Sequence, residues 1–294
     1  MTAVPPGLSD LSTSNVGRSR RARNRIATLL VYASVLVAAV PLMFVLVYVA
    51  RKGLAVVNPE FLTSDIPISS RRPGPGMGPA VVGTLLITLA ATVMAVPLGI
   101  LAVLGHVDGG QGSRLAGAIR FLSDVMAGVP SIVMGLFIYT VWVLRFGQSG
   151  FAGALALAAL MLPIVIRSTE SMLRLVPDDL REGSTALGAS KSRVILSVVL
   201  PAALPGITSG SLLAVARAAG ETAPLLFTIG AARAVNLGMF EGPNTALSSQ
   251  IFANAQLPFA GAQERAWGAA LTLIVIVLVL TIVARVISRR FTVR

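Results

Sequence analysis

Long stretches without a charged side chain constrain this sequence more than any other feature. Residues 27–50 and 79–105 are uncharged throughout, and a helix needs about 20 apolar residues to cross the roughly 30 Å hydrocarbon core of a bilayer. Further apolar runs follow at residues 125–144, 151–166, 204–229 and 266–283. The run at 151–166 is short, so we expect its helix to continue past Arg167. The sequence therefore predicts an all-α integral membrane protein with six transmembrane helices.

Composition excludes several other classes of protein. Charged residues make up 12% of the chain, whereas soluble domains carry about 25%. The chain has no cysteine, which excludes disulfides, zinc–thiolate sites and iron–sulfur clusters. His106 is the only histidine, so a haem or a histidine metal centre is not expected either. We predict no cofactor and no metal site.

The basic residues predict how the chain is oriented in the membrane. If the N-terminus is cytoplasmic, 16 of the 24 basic residues fall in cytoplasmic segments and seven on the opposite side, with Arg217 inside a span. Cytoplasmic loops of membrane proteins carry this kind of excess. The chain is therefore expected to be a multi-pass plasma membrane protein with both termini in the cytoplasm. The net charge of +12 is explained by topology and by contact with membrane lipid rather than by nucleic-acid binding.

The same pattern predicts the division of the chain. Residues 1–26 form a basic tail, rich in Ser, Pro and Arg, that we expect to be disordered. Residues 27–287 form the transmembrane domain, and residues 288–294 a basic C-terminal tail. The longest predicted cytoplasmic loop within the domain spans residues 167–203.

Arg217 and Glu221 are the charged residues within the predicted fifth span. Residues four apart share one face of a helix. An arginine at the centre of a membrane helix costs about 2.5–3.5 kcal/mol on insertion scales, so it usually faces a cavity or a partner. A guanidinium suits an oxyanion such as phosphate or sulfate. A structural ion pair between helices explains the two residues equally well.

The cytoplasmic loop has the pattern of two helices joined by a turn. Asp179 is placed to cap the first helix, with Glu182 completing a capping box. Gly188 is placed to end that helix in a left-handed conformation. A second helix from Lys191 to Leu200 then leads to Pro201. Because membrane spans flank this unit, docking on a partner protein is favoured over DNA binding.

This loop resembles the permeases of ATP-binding-cassette importers. Their cytoplasmic signature is Glu-Ala-Ala, three residues, Gly, nine residues, then Ile-x-Leu-Pro. Here Glu182-Gly183-Ser184 is followed at the same spacing by Gly188 and by Val198-Val199-Leu200-Pro201. The two alanines and the isoleucine are replaced by Gly183, Ser184 and Val198. Glycine weakens a helix interior by about 1 kcal/mol.

Three further segments resemble the permeases of phosphate-specific importers, of the PstA type. These are residues 78–84, 128–136 and 214–226. The most telling is Arg217-Ala218-Ala219-Gly220-Glu221-Thr222, which is similar to an Arg-x-x-Gly-Glu-Thr stretch of that family. We assign Arg217, Glu221 and Thr222 to the substrate pathway on this resemblance.

The resemblance implies a type I importer fold with cytoplasmic coupling helices and a set of partners. The partners are a homologous second permease, two copies of a cytoplasmic ATPase and an external phosphate-binding protein. The binding protein is expected on the loops at residues 59–77 and 231–265. The residues implied to contact the ATPase are Asp178, Asp179, Glu182, Gly183, Ser184, Gly188, Leu200 and Pro201.

The chain itself is not expected to be an enzyme. An ATP-binding P-loop needs Gly-Lys-Ser/Thr, and the only lysines are Lys52 and Lys191, the latter preceded by serine. ATP hydrolysis therefore falls to a separate subunit. In the resulting hypothesis, Arg217 contacts phosphate transiently and Glu221 neutralises Arg217 between cycles. Sulfate, molybdate or phosphonate as substrate, a membrane enzyme and a scaffold without transport remain as alternatives.

Overall fold

The computed structural model describes residues 18–71, 74, 76–107 and 114–291. The chain divides into two compact units, Met1–Arg51 and Lys52–Arg294. The described residues form helices joined by turns and short loops. The helices are α1 (Arg18–Leu54), α2 (Pro59–Thr63), α3 (Gly78–Val107), α4 (Arg114–Gly128), α5 (Ser131–Ile138), α6 (Leu144–Phe146), α7 (Gly150–Arg174), α8 (Asp178–Ala186), α9 (Lys191–Val194), α10 (Leu200–Ala219), α11 (Ala223–Thr228), α12 (Leu247–Ala255) and α13 (Ala260–Phe291).

Helix α1 supplies the described part of the first unit. It begins at Arg18, so the stretch 18–26 is helical and does not belong to a disordered tail as the sequence predicted. Residues 1–17 lie outside the described residues. Large apolar side chains are exposed along the helix, as expected for a helix that is apolar all round and meets lipid or another subunit.

The core of the second unit is built on helices α3, α7 and α10. Their facing surfaces carry many small side chains, among them Ala91, Ala154 and Ala214, all buried. Small residues let membrane helices approach closely. Where α7 and α10 meet, for example, a Cβ on Gly210 would lie 2.4 Å from Cβ of Ser168.

A second buried cluster links this core to the loop that follows α7. Leu173 on α7 and Val103 on α3 pack with Val176, just beyond α7, and with Val194 on α9. The loop that follows α7 is therefore anchored on the transmembrane helices by apolar contacts. Because these residues pack together, a displacement of the loop would also displace α3 and α7.

The predicted third span, residues 125–144, is wrong as a single helix. The chain turns by 104° between α4 and the segment Ser131–Phe146. Pro130 stands at the turn as the N-cap of α5. A proline cannot donate to the preceding turn and disfavours helical geometry in the residue before it. A π-helical turn at Tyr139–Val143 then joins α5 to α6.

The predicted fifth span, residues 204–229, is also wrong at its end. Helix α10 stops at Ala219, and a three-residue break at Gly220–Thr222 precedes α11. Pro224 lies in the first turn of α11. In a continuous helix its ring would clash with the carbonyl of Gly220, so the helix is interrupted there.

The remaining spans agree with the prediction. Helix α7 continues past Arg167 to Arg174, and α13 covers residues 266–283 and runs on to Phe291, so residues 288–291 are helical and residues 292–294 lie outside the described range. Within the described ranges, five helices are long and apolar enough to cross a membrane. The bent pair α4 and α5 brings the number to six if it is one crossing.

Candidate functional site

The break between α10 and α11 carries the Arg217–Glu221 pair. Arg217 lies in the last turn of α10, and Glu221 lies beyond its end, so the pair does not share a helix face as predicted. Nε of Arg217 is nevertheless 3.8 Å from Oε1 of Glu221. The Arg217 side chain is 71% exposed and that of Glu221 is 22% exposed. The guanidinium of Arg217 is thus accessible to a ligand, whereas the carboxylate of Glu221 is largely covered by neighbouring residues.

Thr222 stands at the N-cap position of α11 and is half-buried. The backbone closes tightly before it, because N–H of Gly220 donates to the carbonyl of Arg217 and N–H of Glu221 to that of Ala218, each at 3.1 Å. Hydrogen bonds between residues three apart are common where a helix ends. Arg217, Glu221 and Thr222 therefore occupy one compact turn.

Helix α5 packs directly beside this turn. A Cβ on Gly135 would lie 2.5 Å from Cα of Pro224, a separation that only a glycine permits. The segment at residues 128–136 thus serves packing, because Gly135 brings α5 onto α11. Phe227 of α11 also meets Tyr139 edge to face, with ring centroids 6.5 Å apart.

The segment at residues 78–84 reaches the same region through α12. Gly83 faces the carbonyl of Thr245, where a Cβ would not fit. The hydroxyl of Thr84 accepts from N–H of Leu247 at 2.8 Å, at the first residue of α12. One residue on, Oγ of Ser248 donates to the carbonyl of Glu221 at 2.9 Å. The three segments singled out in the sequence therefore converge on the break at Gly220–Thr222.

The loop at residues 167–203 contains a helix, a turn and a second helix, as the sequence predicts. The first helix, α8, has Pro177 as its N-cap, and Asp178 and Asp179 lie in its first turn. The predicted capping box of Asp179 with Glu182 is therefore wrong, because Asp179 is already inside the helix. The two aspartates instead face the positive end of the helix dipole.

Gly188 ends α8 as predicted. Its φ of +84° is in the left-handed region, which glycine adopts without strain. N–H of Gly188 donates to the carbonyl of Thr185 at 2.9 Å, and N–H of Ala189 to that of Ser184 at 3.2 Å. This pair of bonds is a Schellman motif, and it fixes the direction in which the chain leaves α8.

Arg181 holds α8 against the end of α7, a role that the sequence analysis missed. Its Nη2 donates to the carbonyl of Leu173 at 2.7 Å. Its Nε lies 3.7 Å from Oδ1 of Asp178. The arginine thereby joins the start of α8 to the last turn of a transmembrane helix.

The outer surface of α8 faces solvent. Every residue of α8 is exposed or only partly buried, and Leu187, directly after it, is 91% exposed. A Cβ on Gly183 would point into open space. Leu200 packs against the buried cluster at the base of the loop, whereas Pro201 is exposed. An exposed helix with apolar side chains on a fixed base is suited to docking on another protein.

Five charged side chains join α4 to the C-terminal half of α7. One carboxylate oxygen of Glu170 accepts from Nε of Arg120 and from Nη2 of Arg174. Arg167 pairs with Asp124. These groups line an open cavity of about 330 Å³. In the sequence these arginines are recognisable only as topology signals, because residues on different helices show no spacing that would reveal the network.

The two predicted external loops are in contact. N–H of Ile66 donates to the carbonyl of Arg233 at 2.9 Å. Nearby, Arg265 is 2% exposed and donates to the carbonyl of Ser70 at 3.1 Å. The loops at residues 59–77 and 231–265 therefore belong to one surface.

Among the described residues, no group of three or more histidine, aspartate or glutamate side chains is arranged to hold a metal ion. The charged groups described above are instead ion pairs and helix contacts.

Known proteins resemble this chain along most of its length. Residues 95–293 match the family described as the inner membrane component of binding-protein-dependent transport systems. The phosphate transport system permease protein PstA 1 of Mycobacterium tuberculosis is 43% identical over 272 residues, covering 91% of this chain and 89% of the relative. PstA of Yersinia pestis is 43% identical over 269 residues, covering 91% and 90%. The chain belongs to the PstA permease family.

Solved structures show the same fold for the permease. An inward-facing structure of the MetNI methionine ABC transporter matches with a TM-score of 0.56 and 18% identity, covering 74% of this chain and 94% of that chain. An amino acid ABC transporter matches with a TM-score of 0.52 and 18% identity, covering 72% and 92%. The architecture is therefore that of a type I ABC importer permease.

Proposed function

We propose that this chain is the permease subunit of an ATP-driven importer of inorganic phosphate and forms half of its translocation pathway. The observation that carries the proposal is the exposed guanidinium of Arg217, held on a helix break beside Glu221. The break lies in the Arg-x-x-Gly-Glu-Thr stretch, in a chain 43% identical to permeases named for phosphate transport.

The geometry of the pair suits a transient contact with phosphate. At 3.8 Å, Nε of Arg217 and Oε1 of Glu221 form a loose, single-point ion pair rather than a two-pronged one. Arginine binds oxyanions through several N–H groups, and most of this side chain is open to a ligand. Glu221 then balances the charge when phosphate has left, so the site releases the ion instead of retaining it.

Helix α8 supports a role in coupling to a separate ATPase. Asp178, Asp179, Glu182, Gly183 and Ser184 lie on an exposed helix that Arg181 and the buried cluster hold against α7. Closure of an ATPase dimer under α8 and Gly188 would then move α7 and α10 through Leu200 and Pro201. The complex in this proposal contains two ATPase copies, a second permease and an external phosphate-binding protein.

The proposed function also requires a defined orientation of the chain in the membrane. The coupling loop at residues 167–203 faces the cytoplasm, with both termini on that side and the basic residues at the start of α1 meeting anionic lipid. Residues 27–287 act as the permease domain. The surface that joins the loops at residues 59–77 and 231–265 receives the binding protein.

The decisive experiment is ATP-dependent uptake of radiolabelled phosphate by the reconstituted complex. Unlabelled phosphate should suppress uptake, and excess sulfate should not. Arg217→Ala should abolish uptake, whereas Arg217→Lys, which keeps the charge but loses the planar fork, should retain part of it. Uptake by Arg217→Ala at the wild-type rate would exclude the pathway role, and inhibition by sulfate would change the assigned substrate.

A further inference from the structure

The carbonyl of Glu221 lies at the break in the helix, where regular helical hydrogen bonding is interrupted. N–H of Leu225 donates to the carbonyl of Thr222 at 3.1 Å, one residue beyond Glu221. A partly buried carbonyl without a helical donor needs one from elsewhere. Oγ of Ser248 supplies it at 2.9 Å, from a side chain that is 3% exposed.

The residues on either side of Ser248 are held by hydrogen bonds. N–H of Leu247 donates to Oγ1 of Thr84, which in turn donates to the carbonyl of Ala80 within α3. Oγ of Ser249 donates to the carbonyl of Ala246 at 2.8 Å. The start of α12 is therefore fixed on α3, and the hydroxyl of Ser248 is presented at a defined position.

The segment at residues 244–248 holds both ends of α11. At the start of α11, Ser248 binds the carbonyl of Glu221. At its end, N–H of Asn244 donates to the carbonyl of Ile229 at 2.6 Å. The short helix after the break is thus clamped between two hydrogen bonds from one segment.

We infer that Ser248 is a positioning residue for the Arg217–Glu221 pair. Its hydroxyl fixes the backbone from which the Glu221 carboxylate projects, and so sets the distance between that carboxylate and the guanidinium. Because the pair is loose, a small backbone shift changes which groups meet a passing anion. This inference rests on the proposed function, which assigns the pair to the phosphate pathway.

The test compares Ser248→Ala with a matched serine variant in the reconstituted complex. Ser211 on α10 is 5% exposed, and its hydroxyl has no hydrogen-bond partner among the described groups, so Ser211→Ala removes a buried hydroxyl without removing a bond. The measured quantity is phosphate transported per ATP hydrolysed, normalised to the amount of assembled complex. Ser248→Ala should lower this ratio about three- to tenfold, and Ser211→Ala should leave it within about twofold.

A double variant separates positioning from a general structural role. In an Arg217→Lys background, the effect of Ser248→Ala should shrink to less than about twofold, because contacts that act through one group are not additive. An undiminished effect in that background overturns the inference, as does a Ser248→Ala ratio equal to that of Ser211→Ala. If Ser248→Ala fails to assemble, Ser248→Thr replaces it in the test, because threonine keeps the hydroxyl. The Ser248→Thr complex should assemble and transport as much phosphate per ATP hydrolysed as the wild type. A Ser248→Thr complex that assembles with this ratio lowered threefold or more also overturns the inference.

The outcomes also separate this inference from the proposed function. Normal uptake by Arg217→Ala refutes the function itself. Loss of uptake in Arg217→Ala together with a silent Ser248→Ala refutes only the positioning role.

Discussion

Gly135 of α5 lies against the backbone of Pro224 in α11, so close that a Cβ on Gly135 would come within 2.5 Å of Cα of Pro224. Gly135→Ala should therefore separate the two helices or strain them, at a cost of about 1–3 kcal/mol in folding stability. We expect a lower melting temperature of the purified complex and reduced uptake, because α11 is attached to the turn that carries Arg217.

Gly117 provides the control for this substitution. It lies within α4, and a Cβ there would meet open space. Gly117→Ala should be neutral or stabilise the helix by about 0.5–1 kcal/mol. Equal melting temperatures for Gly135→Ala and Gly117→Ala would contradict the packing of α5 on α11.

The end of α8 depends on the left-handed backbone of Gly188. A β-branched residue is strongly disfavoured at a φ of +84°, whereas asparagine tolerates this region. Gly188→Val should therefore reduce co-purification of the ATPase and uptake, and Gly188→Asn should preserve most of both. Wild-type behaviour of Gly188→Val would show that the direction of the chain after α8 is unimportant for coupling.

Arg181 is expected to hold α8 on α7. Arg181→Gln removes the charged donor to the carbonyl of Leu173, and hydrogen bonds of this kind contribute about 1.5–3 kcal/mol. Amide hydrogen exchange in α8 should become faster as the helix detaches. Arg193→Gln, at an exposed position on α9, should leave exchange in α8 unchanged; similar exchange in the two variants would argue against the anchor.

Glu170 is predicted to be the critical residue of the ion pairs between α4 and α7. It is 16% exposed and serves Arg120 and Arg174 together, so Glu170→Gln leaves two guanidiniums close to each other without their carboxylate. We expect Glu170→Gln to lower the free energy of unfolding by about 1–3 kcal/mol, measured by thermal unfolding of the complex.

The neighbouring pair provides a comparison for Glu170. Arg167 and Asp124 are 55% and 62% exposed, and exposed pairs contribute about 0–1 kcal/mol. Asp124→Asn should therefore change the melting temperature little, and less still at high salt. A larger drop in melting temperature for Asp124→Asn than for Glu170→Gln would show that Glu170 is not the critical residue of these ion pairs.

The sequence predicted the structure of the loop at residues 167–203 well because its determinants are local. Gly188 ends α8 through its own backbone freedom, and the spacing from Glu182 to Pro201 belongs to one continuous segment. The prediction failed at the N-terminus of α8, where Asp179 was taken as the cap. The helix begins earlier than predicted, because Pro177 occupies the N-cap position and both aspartates lie inside the first turn.

By itself, the sequence determined that the chain is a helical membrane protein, because uncharged runs of spanning length have few other stable environments. It also singled out Arg217 and Glu221 as candidates, since charges within apolar runs are conspicuous. The tertiary structure decided where helices break and what lies beside the breaks. Ser248 reaches Glu221 and Gly135 reaches Pro224 only through the folding of distant segments, and a local pattern does not encode such contacts.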